Sequence, residues 1–202
     1  MQRILFVTLL AFSAGCVNFH AVEPDRVYRV SQPKPEQLDH WIWRHGIKTV
    51  LRLRGGEPGL PEFDASYIPT VKAGIDFVQI PMSVQRFPPR ETLMQLCEVF
   101  RTAEYPILMH CKAGADRTGL ASAIYVLHTQ GDLTRAREQL SLRYLHTGIG
   151  KAGKLDVVLD LYDPWQDRMT FCEWSREVYE PPPGDLVTPE YLERMGVPPK
   201  AD

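Results

Sequence analysis

Cysteine is scarce in this chain, with four in 202 residues. Small scaffolds that replace a core with disulfides are far denser in it, so this usage does not argue for a disulfide-built fold. A surplus of either charge is also missing. The 23 basic and 25 acidic side chains leave a net charge of −2, which excludes bulk attraction to nucleic acid. Internal repeats and low-complexity tracts are absent. No Cys, His and carboxylate set has metal-ligand spacing, so neither a metal nor another cofactor is expected. The longest apolar run, Ile4 to Phe12, is too short to span a membrane as a helix. What remains is a hydrophobic fraction of 44%, enough for one domain with a real core, and 17 prolines gathered in loops and the tail.

The N-terminus differs in kind from the rest. Met1-Gln2-Arg3 is a short positive start, the run to Phe12 is apolar apart from Thr8, and Ser13-Ala14-Gly15-Cys16 closes it with small residues. This is the pattern of a secretory signal peptide. Cys16 directly after Ala-Gly also resembles a bacterial lipoprotein processing site, where a lipid on that cysteine would anchor the protein. Ser13 departs from that pattern, which usually has Leu or another aliphatic there. Plain secretion and a buried N-terminal strand or helix are the other two readings. Residues 1–21 are accordingly assigned to a signal with a short linker, 22–180 to the folded domain and 181–202 to a Pro-rich arm. Export to the periplasm or to a lipid-anchored position is expected, and a cytoplasmic one if the segment is no signal.

Along the domain, strands and helices alternate. Val27–Ser31, Ile47–Leu53, Ile75–Pro81 and Ile107–His110 have the β-branched or continuous apolar character of strands. Helices are expected at Glu36–His45, Glu62–Ala73 with a break at Pro69, Pro88–Ala103, Thr118–Gln130, Leu133–Arg143, Ala152–Tyr162 and Phe171–Tyr179. Alternation of this kind predicts an α/β fold with a central, mostly parallel sheet flanked by helices. Cys97, in a helical run, is expected in the core. Cys172 sits beside Phe171 and Trp174. The tail after Glu180 is expected to be a partly flexible arm around one short helix.

The decisive stretch is His110-Cys111-Lys112-Ala113-Gly114-Ala115-Asp116-Arg117-Thr118-Gly119. It joins a buried strand to a helix, and such a turn converges backbone N–H groups on one point while the helix end adds positive potential. That environment suits a phosphate dianion and favours the thiolate form of Cys111. Arg117 offers a planar fork matching two phosphate oxygens. Two other readings exist: a buried structural cysteine ahead of a glycine-rich helix start, and a rhodanese-like anion loop. The Arg-Thr-Gly and the long helix favour a phosphatase site. A thiol that must stay reduced counts against an oxidising compartment.

At these residues the chain resembles the cysteine-dependent protein-tyrosine and dual-specificity phosphatases, whose signature H-C-x5-R-[S/T]-G is complete here. Tyr28 to Pro33, Gly46 to Arg54, Ile80 to Ser83, Leu140 to Tyr144 and Phe171 to Tyr179 are similar to successive segments of the bacterial dual-specificity type. The resemblance implies a phosphatase fold with a Cys-x5-Arg phosphate loop over residues 22–180, acting on phosphotyrosine, phosphoserine or phosphothreonine, in a protein or a small substrate. Catalytic roles carry over to Cys111 as nucleophile, Arg117 as oxyanion clamp and Thr118 as hydrogen-bond donor to the thiolate. His110, Lys112, Ala113, Gly114, Ala115 and Gly119 would shape and line the phosphate site, His110 through its ring N–H.

The family's general acid, an Asp on a loop, has no counterpart in Ser83–Pro89. Asp76 stands before the strand instead, and Asp116 lies within the phosphate loop, at the place where myotubularin-type phosphatases carry an Asp. Asp116 is therefore the expected acid, with loop-shaping as its other reading. Cys-Lys-Ala-Gly is similar to the phosphoinositide branch, although Ala115 stands where that branch has a second lysine. A phosphoinositide or inositol-phosphate phosphatase is thus the alternative, and a non-catalytic phosphate-binding module the further one. Glu57 is expected to pair with Arg52 or Arg54 near a strand end.

Overall fold

The computed structural model describes residues 17–198. The expected signal segment and Cys16 lie outside these residues. Five strands form one sheet in the order β1-β2-β5-β3-β4. β1 (His20–Glu23) runs antiparallel to β2 (Val27–Val30). The others, β3 (Thr49–Arg52), β4 (Asp76–Gln79) and β5 (Ile107–His110), are parallel to β2 and to one another. The fold is α/β with a mostly parallel sheet, as the alternation of elements predicts. β1 begins ahead of the domain start expected at residue 22. Four residues ending at Glu23-Pro24 carry too little pattern to mark a strand before its partner is known.

β5 sits between β2 and β3, and all four of its residues are buried. Leu108 packs with Tyr28, Val30, Leu38, Ile47 and Val50 on the face covered by α1 (Pro35–His45). Ile107 and Met109 face the larger core, with Leu51, Leu93, Leu120 and Ile124. Burial on both faces explains why β5 is apolar without alternation until its last residue. α4 (Asp116–Gln130) is buried at every position from Thr118 to Leu127. It is thus a core helix and not an amphipathic surface one. α3 (Arg90–Thr102), α6 (Lys154–Tyr162) and α7 (Phe171–Glu177) pack around it.

Several sequence expectations are corrected. α2 (Pro61–Lys72) runs through Pro69 and does not break there. The proline lies in the last turns, and Thr70 Oγ1 donates to Ser66 O at 2.6 Å beside it. α5 (Leu133–Glu138) is shorter than expected and gives way to a 3₁₀ turn at Leu142–Tyr144. A continuing helix would use Gln139 O to accept from residue 143, but that oxygen is taken by Arg29 Nη1 at 2.9 Å. Cys97 and Cys172 form a disulfide between α3 and α7, with Cα atoms 5.9 Å apart. The described part of the tail packs on the domain: α8 (Pro189–Arg194) buries Tyr191, Met195 follows it into the core, and Trp165 Nε1 donates to Met195 O at 2.8 Å. Arg54 pairs with Glu62 at 3.7 Å and not with Glu57.

Candidate active site

Val30, His110 and Arg52 are in register across β2, β5 and β3. These strands are parallel, so their carboxyl ends share one edge, where ligands bind in such sheets. The chain leaves β5 over that edge, places Cys111 at 2% exposure, and turns through Lys112–Ala115 into α4. The orphan N–H groups and positive end of that helix fall on the same turn.

The carbonyl groups of the turn are all claimed from outside. Lys112 O accepts the Gln32 N–H at 3.0 Å. Ala113 O accepts Asn18 Nδ2 at 2.9 Å. Gly114 O and Ala115 O accept Arg29 Nη2 at 2.9 and 3.2 Å. In a planar trans peptide the N–H points opposite its C=O. The amides of Ala113, Gly114, Ala115 and Asp116 therefore turn inward, the nest arrangement that receives an anion. Among the described residues, the amides of Lys112 to Ala115 donate to no protein group.

Arg29 holds this arrangement from beneath. It is completely buried, stacks on the Tyr144 ring with 3.9 Å from Cζ to the centroid, and grips Gln139 with its other nitrogen. Burial lowers its pKa to about 10, which still leaves it charged at neutral pH. Sequence reasoning missed Arg29 as part of the site. The segment Tyr28-Arg29-Val30-Ser31 is a family-like landmark, but nothing local says that its arginine is buried.

Two glycines in the turn have steric reasons. Gly114 has φ +70°, and a Cβ there would lie 2.7 Å from both Ser31 N and Val30 C. Gly119 lets α4 approach the end of α5, where a Cβ would lie 2.7 Å from Leu140 Cδ2. Ala115 is buried, whereas Lys112 and Ala113 are exposed on the rim.

The remaining expected site residues are placed as follows. Arg117 Nη1 makes a long contact, 3.4 Å, to Met82 O at the start of the Ser83–Pro89 loop. Thr118 Oγ1 and both ring nitrogens of His110 are buried without a hydrogen-bond partner among the described residues. The hydroxyl-to-thiolate bond implied by the resemblance is therefore not formed, while the His110 ring lies against the Cys111 backbone. Burial, with Arg52 adding repulsion, pushes the His110 pKa down to about 3, so the ring is neutral at pH 7. Asp116 Oδ1 lies 2.7 Å from His146 Nδ1. Asp76 pairs in register with Thr49, at the edge of the sheet opposite the turn. The loop without an acid is tied at its far end to Asp185, whose Oδ1 accepts the Phe87 N–H at 2.8 Å. His146 and Asp185 were not found by sequence reasoning. A lone histidine in Leu-His-Thr-Gly and an aspartate in a Pro-rich tail carry no signal of their own.

The family model described as DSP-PTPase phosphatase fused to NAD+ kinase matches residues 17–152. The chain belongs to this dual-specificity-type phosphatase family. The match takes in the whole sheet and the turn from Cys111 to Arg117. The dual specificity protein phosphatase TpbA of Pseudomonas aeruginosa is 29% identical over 126 residues, which are 61% of this chain and 53% of that protein. The chain thus spans about half the length of the curated relatives it matches. The crystal structure of P. aeruginosa TpbA superposes with a TM-score of 0.57 at 22% identity, covering 71% of this chain and 83% of that one. The core catalytic domain of the PP-IP phosphatase SIW14 from S. cerevisiae, in complex with citrate, gives a TM-score of 0.55 at 25% identity, covering 69% and 83%.

Proposed function

We propose that this dual-specificity-type phosphatase hydrolyses phosphate monoesters through a phosphocysteine intermediate. The observation that carries the reading is the set of outward-claimed carbonyls, which turns four consecutive amides over buried Cys111. Cys111 attacks phosphorus as a thiolate, favoured by those amides and the α4 end. Arg117 and the amides carry the equatorial oxygens and the charge of the transition state. Thr118 Oγ1, free of other protein partners, is the hydroxyl available to the thiolate as it leaves in the second step. Asp116, in the first turn of α4, is the acid for the leaving oxygen. The substrate class is phosphotyrosine, phosphoserine or phosphothreonine.

A second reading, inositol phosphates, is favoured by the cations at the rim. Lys112 is exposed on the turn, and Arg54 Nη1 donates at 2.9 Å to Gln32, whose own N–H holds Lys112 O. Rates on a phosphotyrosine peptide and on inositol phosphates separate the two.

Cys111→Ser tests the chemistry. Turnover should vanish while phosphate or tungstate still binds, because the cage is backbone and Arg117. Turnover surviving in that variant would overturn the reading, and binding without turnover in the wild-type chain would leave a phosphate-binding module.

We further infer that the chain is exported, on the strength of its N-terminal charge, apolar run and Ala-Gly-Cys. The Cys97–Cys172 disulfide fits an oxidising compartment. It also leaves Cys111 as the free cysteine among the described residues, which weakens the objection that an oxidising compartment would pair the catalytic thiol internally. Fractionation of wild-type protein and Cys16→Ser tests export and lipid anchoring: full-length protein confined to the cytosol would end the proposal.

A further inference from the structure

His146 lies between two carboxylates. Its Nδ1 is 2.7 Å from Asp116 Oδ1 and its Nε2 is 2.8 Å from Asp156 Oδ2. The imidazole is 1% exposed, against 29% for Asp116 and 34% for Asp156. Three segments converge here: the first turn of α4, the loop after the 3₁₀ turn, and α6. The loop closes tightly around them. A Cβ on Gly153 would lie 2.5 Å from Gly148 O, and one on Gly148 would lie 3.4 Å from Asp156 Oδ2.

Each of the two short gaps must contain a hydrogen. An ionised carboxylate only accepts, and a neutral imidazole donates from one nitrogen alone. Two hydrogens therefore fill the gaps, and the acid form of Asp116 carries a third on Oδ2. An imidazolium donating to both sides makes both bonds charge-assisted and leaves no buried ring nitrogen unpaired. Asp116 is the residue before Arg117, and its Oδ2 makes no hydrogen bond to the protein among the described residues.

We propose that His146 is a positioning residue for Asp116: doubly protonated and backed by Asp156, it fixes the Asp116 carboxyl and stabilises the carboxylate left after proton donation. The proposal rests on the reading of Asp116 as the acid. In the first step Cys111 Sγ bonds to phosphorus, the P–O bond to the leaving group breaks, and the proton on Asp116 Oδ2 passes to the departing oxygen. Asp116 is then a carboxylate accepting from His146 Nδ1–H at Oδ1, and His146 keeps both its protons. In the second step water attacks phosphorus, the S–P bond breaks to regenerate the thiolate, and a water proton returns to Asp116 Oδ2. Nothing is consumed but the ester and water.

The test compares rates of the full chain on an alkyl phosphate, which needs the acid, and on a nitrophenyl phosphate, which does not. Asp116→Asn should lose about 100- to 1000-fold on the alkyl ester and under about tenfold on the aryl ester. His146→Gln, which cannot reach both partners, should lose roughly tenfold or more on the alkyl ester alone. Asp156→Asn should shift in the same direction by about three- to tenfold. His146→Asn, whose amide replaces the donor at Nδ1, should recover part of the alkyl rate. Nitrogen NMR of the unmodified protein should find both ring nitrogens of His146 protonated at neutral pH. Equal losses on both esters in Asp116→Asn would remove the acid and the clamp together. Alkyl-selective loss in Asp116→Asn without it in the His146 and Asp156 variants would overturn the clamp alone. A neutral His146 ring would overturn it even if the His146 variants failed to fold.

Discussion

Arg29 Nη2 donates to Gly114 O at 2.9 Å from a position with no solvent exposure. The bond ties the second strand of the sheet to the middle of the phosphate loop and fixes which way two of the loop's peptides face. The two terminal nitrogens of Arg29 share four carbonyl or amide acceptors, while its Nε is buried without a hydrogen-bond partner among the described residues. Removing the guanidinium leaves Gly114 O and Gln139 O without that donor, while Ala115 O keeps the Gly119 N–H at 2.7 Å.

Arg29→Met should therefore cost on the order of 2–4 kcal/mol in a denaturant titration, since buried carbonyl oxygens that lose their donor cost roughly 1–3 kcal/mol each. At conditions where the variant is still folded, phosphate affinity should fall as well, because the loop peptides lose their orientation. Arg29→Met with native phosphate affinity would show that the loop holds itself.

Gly114→Ala tests the same loop from its other side. The added methyl would meet backbone atoms of Val30 and Ser31 at 2.7 Å, and φ +70° is unfavourable for any residue with a Cβ. Backbone cannot step aside as a flexible side chain can, so the loop must move. Phosphate or tungstate binding by calorimetry should drop at least about tenfold, equivalent to about 1.4 kcal/mol. Gly119→Ala should be milder, since its contact at 2.7 Å is the end of the Leu140 side chain and the nearest backbone atom, Gln139 O, lies at 3.0 Å.

The loop itself was legible in the sequence because its chemistry is local: a cysteine and an arginine at fixed spacing, between an apolar strand and a helix start. The parallel sheet followed from the alternation of elements. What supports the loop was not legible, because each support is a tertiary meeting of distant segments. Arg29 reaches Gln139, and His146 joins Asp116 to Asp156. Asp185 arrives at Phe87 from the tail. In sequence each is an ordinary polar residue, and only the crossing of chain segments makes it buried or paired. Cys97 and Cys172 are 75 residues apart, and Cys97 in its helical run reads more simply as core.

That disulfide closes a long loop and joins α3 to α7 away from the catalytic turn. Reduction, or the Cys97→Ala/Cys172→Ala pair, should lower stability by about 2–4 kcal/mol, mainly by freeing the unfolded chain. Turnover per folded molecule should stay within about twofold of wild type. Thermal melting with and without a dithiol reductant, alongside activity at a temperature where both forms are folded, checks it. A loss of activity at full folding would mean that the α3–α7 contact governs the site.

His110 gives the stability a pH dependence whose sign is fixed by its burial. Its pKa is about 3 in the folded protein, against 6.5 for an unperturbed histidine. Above about pH 6.5 the ring is neutral in both states and adds no dependence. Below that the unfolded chain takes up a proton and the folded one does not, so stability falls as pH drops toward 3. The slope contributed by one such group cannot exceed about 1.4 kcal/mol per pH unit. Urea midpoints of the wild-type chain at pH 7 and pH 5 should therefore differ more than those of His110→Asn, which has no titrating ring. The variant should be less stable at pH 7, because a smaller polar side chain leaves a cavity beside β3, and the gap should narrow on acidification. A gap that is constant from pH 7 to pH 5 would show that His110 titrates alike in the folded and unfolded protein.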